Sequence, residues 1–221
     1  MLFTFFNCLI NFFKKLLSPP FCFNCKKFIE HRIVFCSTCF NGIKRVNSFR
    51  ISVTQNHWMN VFAVSNYEYP VKSLILAKAW QNRLASKALG KLVWAETNLQ
   101  NVEFDILIPI PLHWTRYAKR GFNQAEEMAN EISKLSGKPV LNLLKRQKMT
   151  RFQFLLFKKA RGQNLKNAFI ATTWAKEEVE GKHVVLVDDL MTTGSTLIYA
   201  AKELVKLNPA SITAVVGARV V

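Results

Sequence analysis

His183–Leu197 reads HVVLVDDLMTTGSTL. Val184–Val187 is apolar at every position, the pattern of a strand covered on both faces of a parallel sheet. Asp188-Asp189 follow at its carboxyl end, and Thr192-Thr193-Gly194-Ser195-Thr196 lead into a helix expected over Thr196–Leu207. The carboxyl end of a parallel strand is where α/β folds place ligands. Gly194 lets the backbone come close to an anion, while the neighbouring hydroxyls and the first amides of the helix aim donors at it. Two carboxylates beside such a site repel a bare phosphate. The ligand must therefore bring hydroxyl donors or a cation, as a sugar phosphate with a vicinal diol or a magnesium pyrophosphate does. A helix cap alone would need one Asp, Ser or Thr, and the stretch supplies a run of them. Neither GxxxxGK[ST] nor GxGxxG occurs, which excludes the common nucleotide loops.

Outward from this stretch the chain alternates strands and helices. Ser211–Ala218 reads as a final strand after Pro209, and Asp105–Ile110 (DILIPI) as a short apolar strand stopped at Pro111. Asn60–Tyr67 is a further strand. Pro70 to about Trp94 reads as one long helix, and Asn123–Leu135 as a helix ended by Gly137. Residues 150–169 are polar and basic, and read as a loop with one helical turn. The order predicts an α/β fold: a mainly parallel sheet with helices on both faces.

Cys22-Phe-Asn-Cys25 and Cys36-Ser-Thr-Cys39 form two CxxC pairs ten residues apart. Two such turns complete a tetrahedral thiolate site for structural Zn2+, with no coordination position left open for catalysis. About twenty residues cannot bury a self-sufficient core, whereas a structural zinc site supplies roughly 10–16 kcal/mol of apparent binding energy. Redox-active or simply buried cysteines are the alternative.

The chain has 221 residues, 31 Lys and Arg against 14 Asp and Glu, and a net charge of +17. The excess points to phosphate-bearing partners: nucleotides, nucleic acid or anionic lipid. It is concentrated in 106–169, with 13 basic residues against three acidic, and in 14–50, with eight against Glu30 alone. Residues 170–221, which carry the acidic pair, are near neutral with five basic and six acidic. The uncharged run that opens MLFTFFNCLINFFKKLL ends at Lys14, so as a helix it reaches only about 20 Å and does not span a bilayer. Its lysines follow the apolar stretch, unlike those of a secretory signal. Phe6, Leu9, Phe13, Leu16 and Leu17 recur at helical spacing, which fits a helix packed on its own protein or, alternatively, peripheral membrane or partner contact through residues 1–17. A cytoplasmic location is expected.

VVLVDDLMTTGSTL resembles the phosphoribosyl-diphosphate signature of type I phosphoribosyltransferases. Over roughly residues 16–219 the chain resembles the ComF family, competence-associated proteins with an N-terminal zinc ribbon and a phosphoribosyltransferase domain. The resemblance includes IPIPLHWTRYAKRGFNQA at 108–125 and a second block holding Thr150, Gln153, Leu155, Arg161, Asn164, Asn167, Ala168 and Phe169. It departs at Lys78-Ala-Trp-Gln-Asn, where the family has Lys, an aromatic and Gly-Asp. The apolar spacing assigns an N-terminal amphipathic helix to 1–20. The resemblance implies a zinc ribbon over 21–50 and a phosphoribosyltransferase-like domain over 58–221. It further implies that Asp188 and Asp189 bind the ribose hydroxyls, directly or through Mg2+, and stabilise positive charge at the anomeric carbon as pyrophosphate leaves. Thr192, Thr193, Gly194, Ser195 and Thr196 would cradle the 5′-phosphate. Lys119 and Arg120, on a loop after the 105–110 strand, would meet pyrophosphate or an acceptor phosphate. The implied partners are phosphoribosyl diphosphate, single- or double-stranded DNA and other competence proteins. Two functions fit: transfer of a phosphoribosyl group to an acceptor, or DNA handling that uses the fold as a binding module without turnover.

Overall fold

The computed structural model describes residues 21–29, 34–77, 82–147 and 168–221. The helix expected over 1–17, residues 78–81 of the Lys78-Ala-Trp-Gln-Asn stretch and all of the loop expected over 150–169 except its last two residues lie outside the described residues; Phe169 opens a strand instead.

Strand β6 (His183–Met191) is the centre of the architecture. It lies between β7 (Ser211–Arg219) and β3 (Ile106–Pro109), parallel to both. β2 (Trp58–Asn66) pairs parallel with the other side of β7, and β1 (Phe49–Ser52) adds an antiparallel edge. The order is β1-β2-β7-β6-β3, so the expected parallel-dominated α/β sheet is present. A separate two-stranded sheet joins β4 (Leu144–Arg146) to β5 (Phe169–Ala171).

Period-two alternation divides the apolar residues between two cores. Val184 and Leu186 of β6 pack with Val61, Ile108, Ala214 and Val216 on one face. That face is covered by helix α7 (Ser195–Val205) through Leu197, Ala200, Ala201 and Leu204, with α6 (Ala175–Val179) and Phe169 beside it. Val185 and Val187 face the opposite way. They pack under α2 (Val71–Ala77), α3 (Arg83–Glu96) and α5 (Gln124–Ser136). Gly217 is required where α3 crosses β7, since a Cβ there would fall 2.4 Å from Leu89 Cδ2.

The cysteine-bearing segment packs on this second core. Its helix α1 (Ser37–Asn41) is short, and the buried side chains of Phe35, Ile29 and Ile43 join Phe62, Val64 and Leu74. Arg45 donates through Nε to Glu96 Oε2 at 2.7 Å, and Lys44 lies 3.1 Å from Glu68, tying the segment to β2's end and to α3.

Three expectations need correction. The long helix from Pro70 to Trp94 is broken: α2 runs to Ala77, and Asn82, with extended backbone, caps α3 by accepting from Ala85 N at 3.1 Å. Apolar periodicity runs across this junction and conceals the cap. Lys119 and Arg120 are not on a loop but on helix α4 (Trp114–Arg120). His113 caps it, and Gly121 ends it in the left-handed region at φ 75°. Finally, β6 does not stop at Val187: it stays paired with β7 through Met191, so the acidic residues are part of the strand.

Candidate functional site

The site lies where β6 turns into α7. Strand pairing continues past the acids, with Asp188 opposite Val216 and Met191 opposite Arg219. Alternation assigns Asp188 to the face of Val184 and Leu186, and Asp189 to that of Val185 and Val187. Both are half-buried, and Asp189 donates its backbone N–H to Asp188 Oδ1 at 2.9 Å. Gly194 then adopts φ 74°, a left-handed turn that releases the chain into α7. No side chain caps α7. Thr193 and Ser195 hydroxyls lie 2.8 Å apart across the turn. Thr192, Thr193, Ser195 and Thr196 are thus gathered around the first turn of an eleven-residue helix, where amides and hydroxyls both suit an oxyanion. Of the seven residues expected from the sequence, Asp188 and Asp189 lie in the last part of β6, one toward each face, and Thr192, Thr193, Gly194, Ser195 and Thr196 follow at the turn into α7.

A cationic wall stands beside it. The Ile110 N–H donates to the Val187 carbonyl at 2.9 Å, and Asn123 Nδ2 donates to the Ile110 carbonyl at the same distance. Segment 110–123, including α4, is therefore anchored next to the acidic pair. Burial lowers the pKa of Arg120, and burial together with the neighbouring Arg120 charge lowers that of Arg116. Arg146, at the end of β4, is pushed down to about 10 by burial and by Arg116, against the opposing pull of Asp188. It remains protonated at neutral pH, with its guanidinium 5.3 Å above the Phe169 ring. Arg116 and Arg146 were not singled out by the sequence reading. Arg116 lies in the RYAKRG run that drew attention to its neighbours. Arg146 carries no motif and reaches the site only through the small β4–β5 sheet. Lys119 belongs to α4, but its side chain lies outside the described residues.

The four expected cysteines also converge. The sulfurs of Cys22, Cys25, Cys36 and Cys39 all lie within 4.8 Å of one another, and those of Cys25 and Cys36 are 3.7 Å apart. Zinc–sulfur bonds of ~2.3 Å place tetrahedral ligands about 3.8 Å from each other, so the donor set fits such an ion. Burial opposes ionisation of Cys22, but hydrogen bonds from the backbone of Cys36, Cys25 and Asn24 bring its thiol down to about 6. Asn24 donates to Cys39 Sγ at 3.4 Å and favours its thiolate, yet burial and the three neighbouring cysteines push Cys39 up to about 12. Four thiols competing for one small volume resist joint ionisation until a cation shares their charge.

The phosphoribosyl transferase domain family matches residues 90–219. Competence protein F of Haemophilus influenzae is 32% identical over 201 residues, covering 88% of this chain and 82% of that protein. The chain belongs to the ComF family. Another relative of this ComF-family chain is the DNA utilization protein YhgH of Escherichia coli O6:H1, 33% identical over 165 residues, or 70% of each chain. Competence protein ComFC of Bacillus subtilis is 34% identical over 106 residues, 48% of this chain and 40% of that one. Among the described residues, no helix is long and apolar enough to cross a membrane.

Proposed function

We propose that this ComF-family chain binds phosphoribosyl diphosphate at the β6–α7 turn and transfers the phosphoribosyl group to an acceptor during the handling of incoming DNA. One observation carries the reading: two half-buried carboxylates at the carboxyl end of β6 run directly into a hydroxyl-rich turn that opens a helix, with arginines on the adjoining segment. A phosphate alone has no use for the carboxylates, and a ribose alone has no use for the cradle.

In this reading Thr192–Thr196 hold the 5′-phosphate and Asp188 and Asp189 accept hydrogen bonds from the ribose hydroxyls. Their carboxylate oxygens also suit Mg2+, which would neutralise the pyrophosphate when bound. As the bond from the anomeric carbon to pyrophosphate lengthens, positive charge develops on the sugar, and the fixed carboxylates stabilise it without reorganisation. Arg116, Arg120 and Arg146 balance the departing anion. Lys119 is assigned the same duty from the sequence. Zn2+ on the four cysteines is structural, with every position filled by sulfur. The names of the relatives support the link to competence and DNA utilisation.

Calorimetry with phosphoribosyl diphosphate, with and without Mg2+, tests the site. The reading expects micromolar binding that requires Mg2+. Absence of binding in both conditions overturns it. The second reading, a DNA-binding module without turnover, is favoured by the net charge of +17. It expects oligonucleotide binding with no release of pyrophosphate in the presence of any acceptor.

A further inference from the structure

Helix α4 is amphipathic in an unusual sense. Arg116 and Arg120, one turn apart, are half-buried against the body, and Arg116 neighbours Arg146, which in turn feels Asp188. Trp114 and Tyr117, also one turn apart, are on the other side and are 72% and 50% exposed. Ala118, one turn on from Trp114, is exposed too. An ordinary surface helix does the reverse and buries its rings. The Trp114 ring has a neighbour: His113, itself buried, packs its imidazole 5.7 Å from it and caps the helix through Nδ1 and Thr115. At the far end Arg83 donates from Nη2 to the Gly121 carbonyl at 2.9 Å while its own side chain stays largely exposed.

We propose that Trp114 and Tyr117 form a stacking platform for the bases of single-stranded nucleic acid, which leads the strand across α4 toward the acidic-pair site. The proposal rests on the DNA-handling reading above and adds the surface that would take the strand. Three features choose this occupant. Among the described side chains of α4, the exposed ones are two flat rings and a methyl group, which suits bases better than acyl chains. Cations lie at its margin, with Arg83 at one end and Arg120 behind, as a phosphate backbone requires. A second copy of this chain would bring another +17 against the same basic region. Stacking is possible only where bases are unpaired, so a duplex should gain nothing from the rings.

The test uses the full-length protein and three fluorescent probes of equal length: oligo-dT, an abasic oligomer with the same sugar-phosphate backbone, and a duplex. Trp114→Ala/Tyr117→Ala should weaken oligo-dT binding about ten- to hundredfold and leave the abasic and duplex probes unchanged, with the salt slope for oligo-dT preserved. Trp114→Phe/Tyr117→Phe should retain most of the affinity. Both variants change exposed side chains, and an unchanged melting temperature verifies that the fold survives. Wild-type binding that the alanine variant leaves intact overturns the platform while leaving DNA binding standing. Equal losses on oligo-dT and the abasic probe overturn it as well, since stacking cannot act without bases. Wild-type protein that binds no probe removes both the platform and the DNA reading. A dimer in sedimentation, or binding to anionic phospholipid vesicles, that the alanine variant abolishes while oligo-dT affinity stays unchanged assigns the rings to another surface and also overturns the proposal.

Discussion

The backbone N–H of Asp189 donates to Oδ1 of Asp188 at 2.9 Å, so one carboxylate of the acidic pair is oriented by the main chain of the other. The contact fixes Asp188 relative to the strand before any ligand arrives. It also makes asparagine a close substitute, because its amide oxygen can accept the same hydrogen bond while the charge is removed.

Asp188→Asn/Asp189→Asn should therefore fold with a melting temperature near that of the parent. Binding of phosphoribosyl diphosphate should weaken at least tenfold and lose its dependence on Mg2+. Inorganic phosphate at Thr192–Thr196 should bind more tightly, because two repelling charges are gone. If these residues only shape the helix start, melting temperature falls and affinity stays. Calorimetry and thermal melting on one preparation separate the two, and an unchanged Mg2+-dependent affinity ends the assignment.

Arg146 offers a trade between stability and binding. Its pKa is depressed to about 10, mainly by burial, so the fold disfavours the protonated form. That penalty is fully present at neutral pH and is relieved only as pH rises through about 10. Arg146→Met keeps most of the contact with Phe169 and removes the charge. The ligand-free variant should melt about 2–4 °C higher than the parent in phosphate-free buffer. Pyrophosphate should raise the melting temperature of the parent but not of the variant. A lower melting temperature for the ligand-free variant would show that Asp188 and Phe169 outweigh the burial.

Metal removal should be felt beyond the cysteines. Phe35 and Ile43 are almost completely buried with Phe62 and Val64, so a ribbon that opens uncovers one face of the sheet. Purified protein should carry one zinc per chain by elemental analysis. Cys36→Ser, or treatment with a strong chelator, should lower the melting temperature by about 5–10 °C, since each uncovered large side chain is worth roughly 1.5–3 kcal/mol. Hydrogen exchange should then accelerate around 21–45 and in β2, with β3 and β6 still protected. Protein purified without metal that melts normally would rule out the zinc assignment.

The parts of the fold written in local pattern were legible before the structure. Val184–Val187 announced a buried parallel strand, Gly137 stopped α5 where expected, and the two CxxC pairs converge. What was missed depends on partners distant in sequence. β6 continues through Asp188 to Met191 because β7 lies beside it and supplies hydrogen bonds, a fact that no window around two aspartates contains. Three-residue strands such as β4 and β5 are set by their mutual pairing, so Arg146 could not be connected with Asp188 from sequence. Helix α4 was hidden because its rings face solvent and its arginines face the body, which inverts the usual periodic signal. The break before α3 was hidden for the opposite reason, since apolar spacing runs on through the cap at Asn82.

The same inversion bears on how strongly salt should act on DNA binding. Many of the described cations are already engaged: Arg45 with Glu96, Lys44 with Glu68, Arg83 and Lys87 with Glu127, and Lys91 and Lys134 with Glu131. Lys44–Glu68 is exposed on both sides and is worth at most about 1 kcal/mol, so a phosphate can replace its carboxylate; Glu96, Glu127 and Glu131 are largely buried and hold their cations more firmly. The net charge of +17 still overstates the number of contacts a strand can make at once, because the cations are spread over several elements. For five to ten phosphates on a single strand, log affinity should fall against log salt with a slope between about −3.5 and −7. Titration of oligo-dT from about 50 to about 200 mM salt, a range in which such contacts act strongly, measures it. Replacing Arg83 and Lys87 together by Gln should reduce the slope by about one unit and leave Trp114 and Tyr117 able to stack. A flat dependence, or no binding at the lowest salt, would mean that the basic surface serves solubility and not nucleic acid.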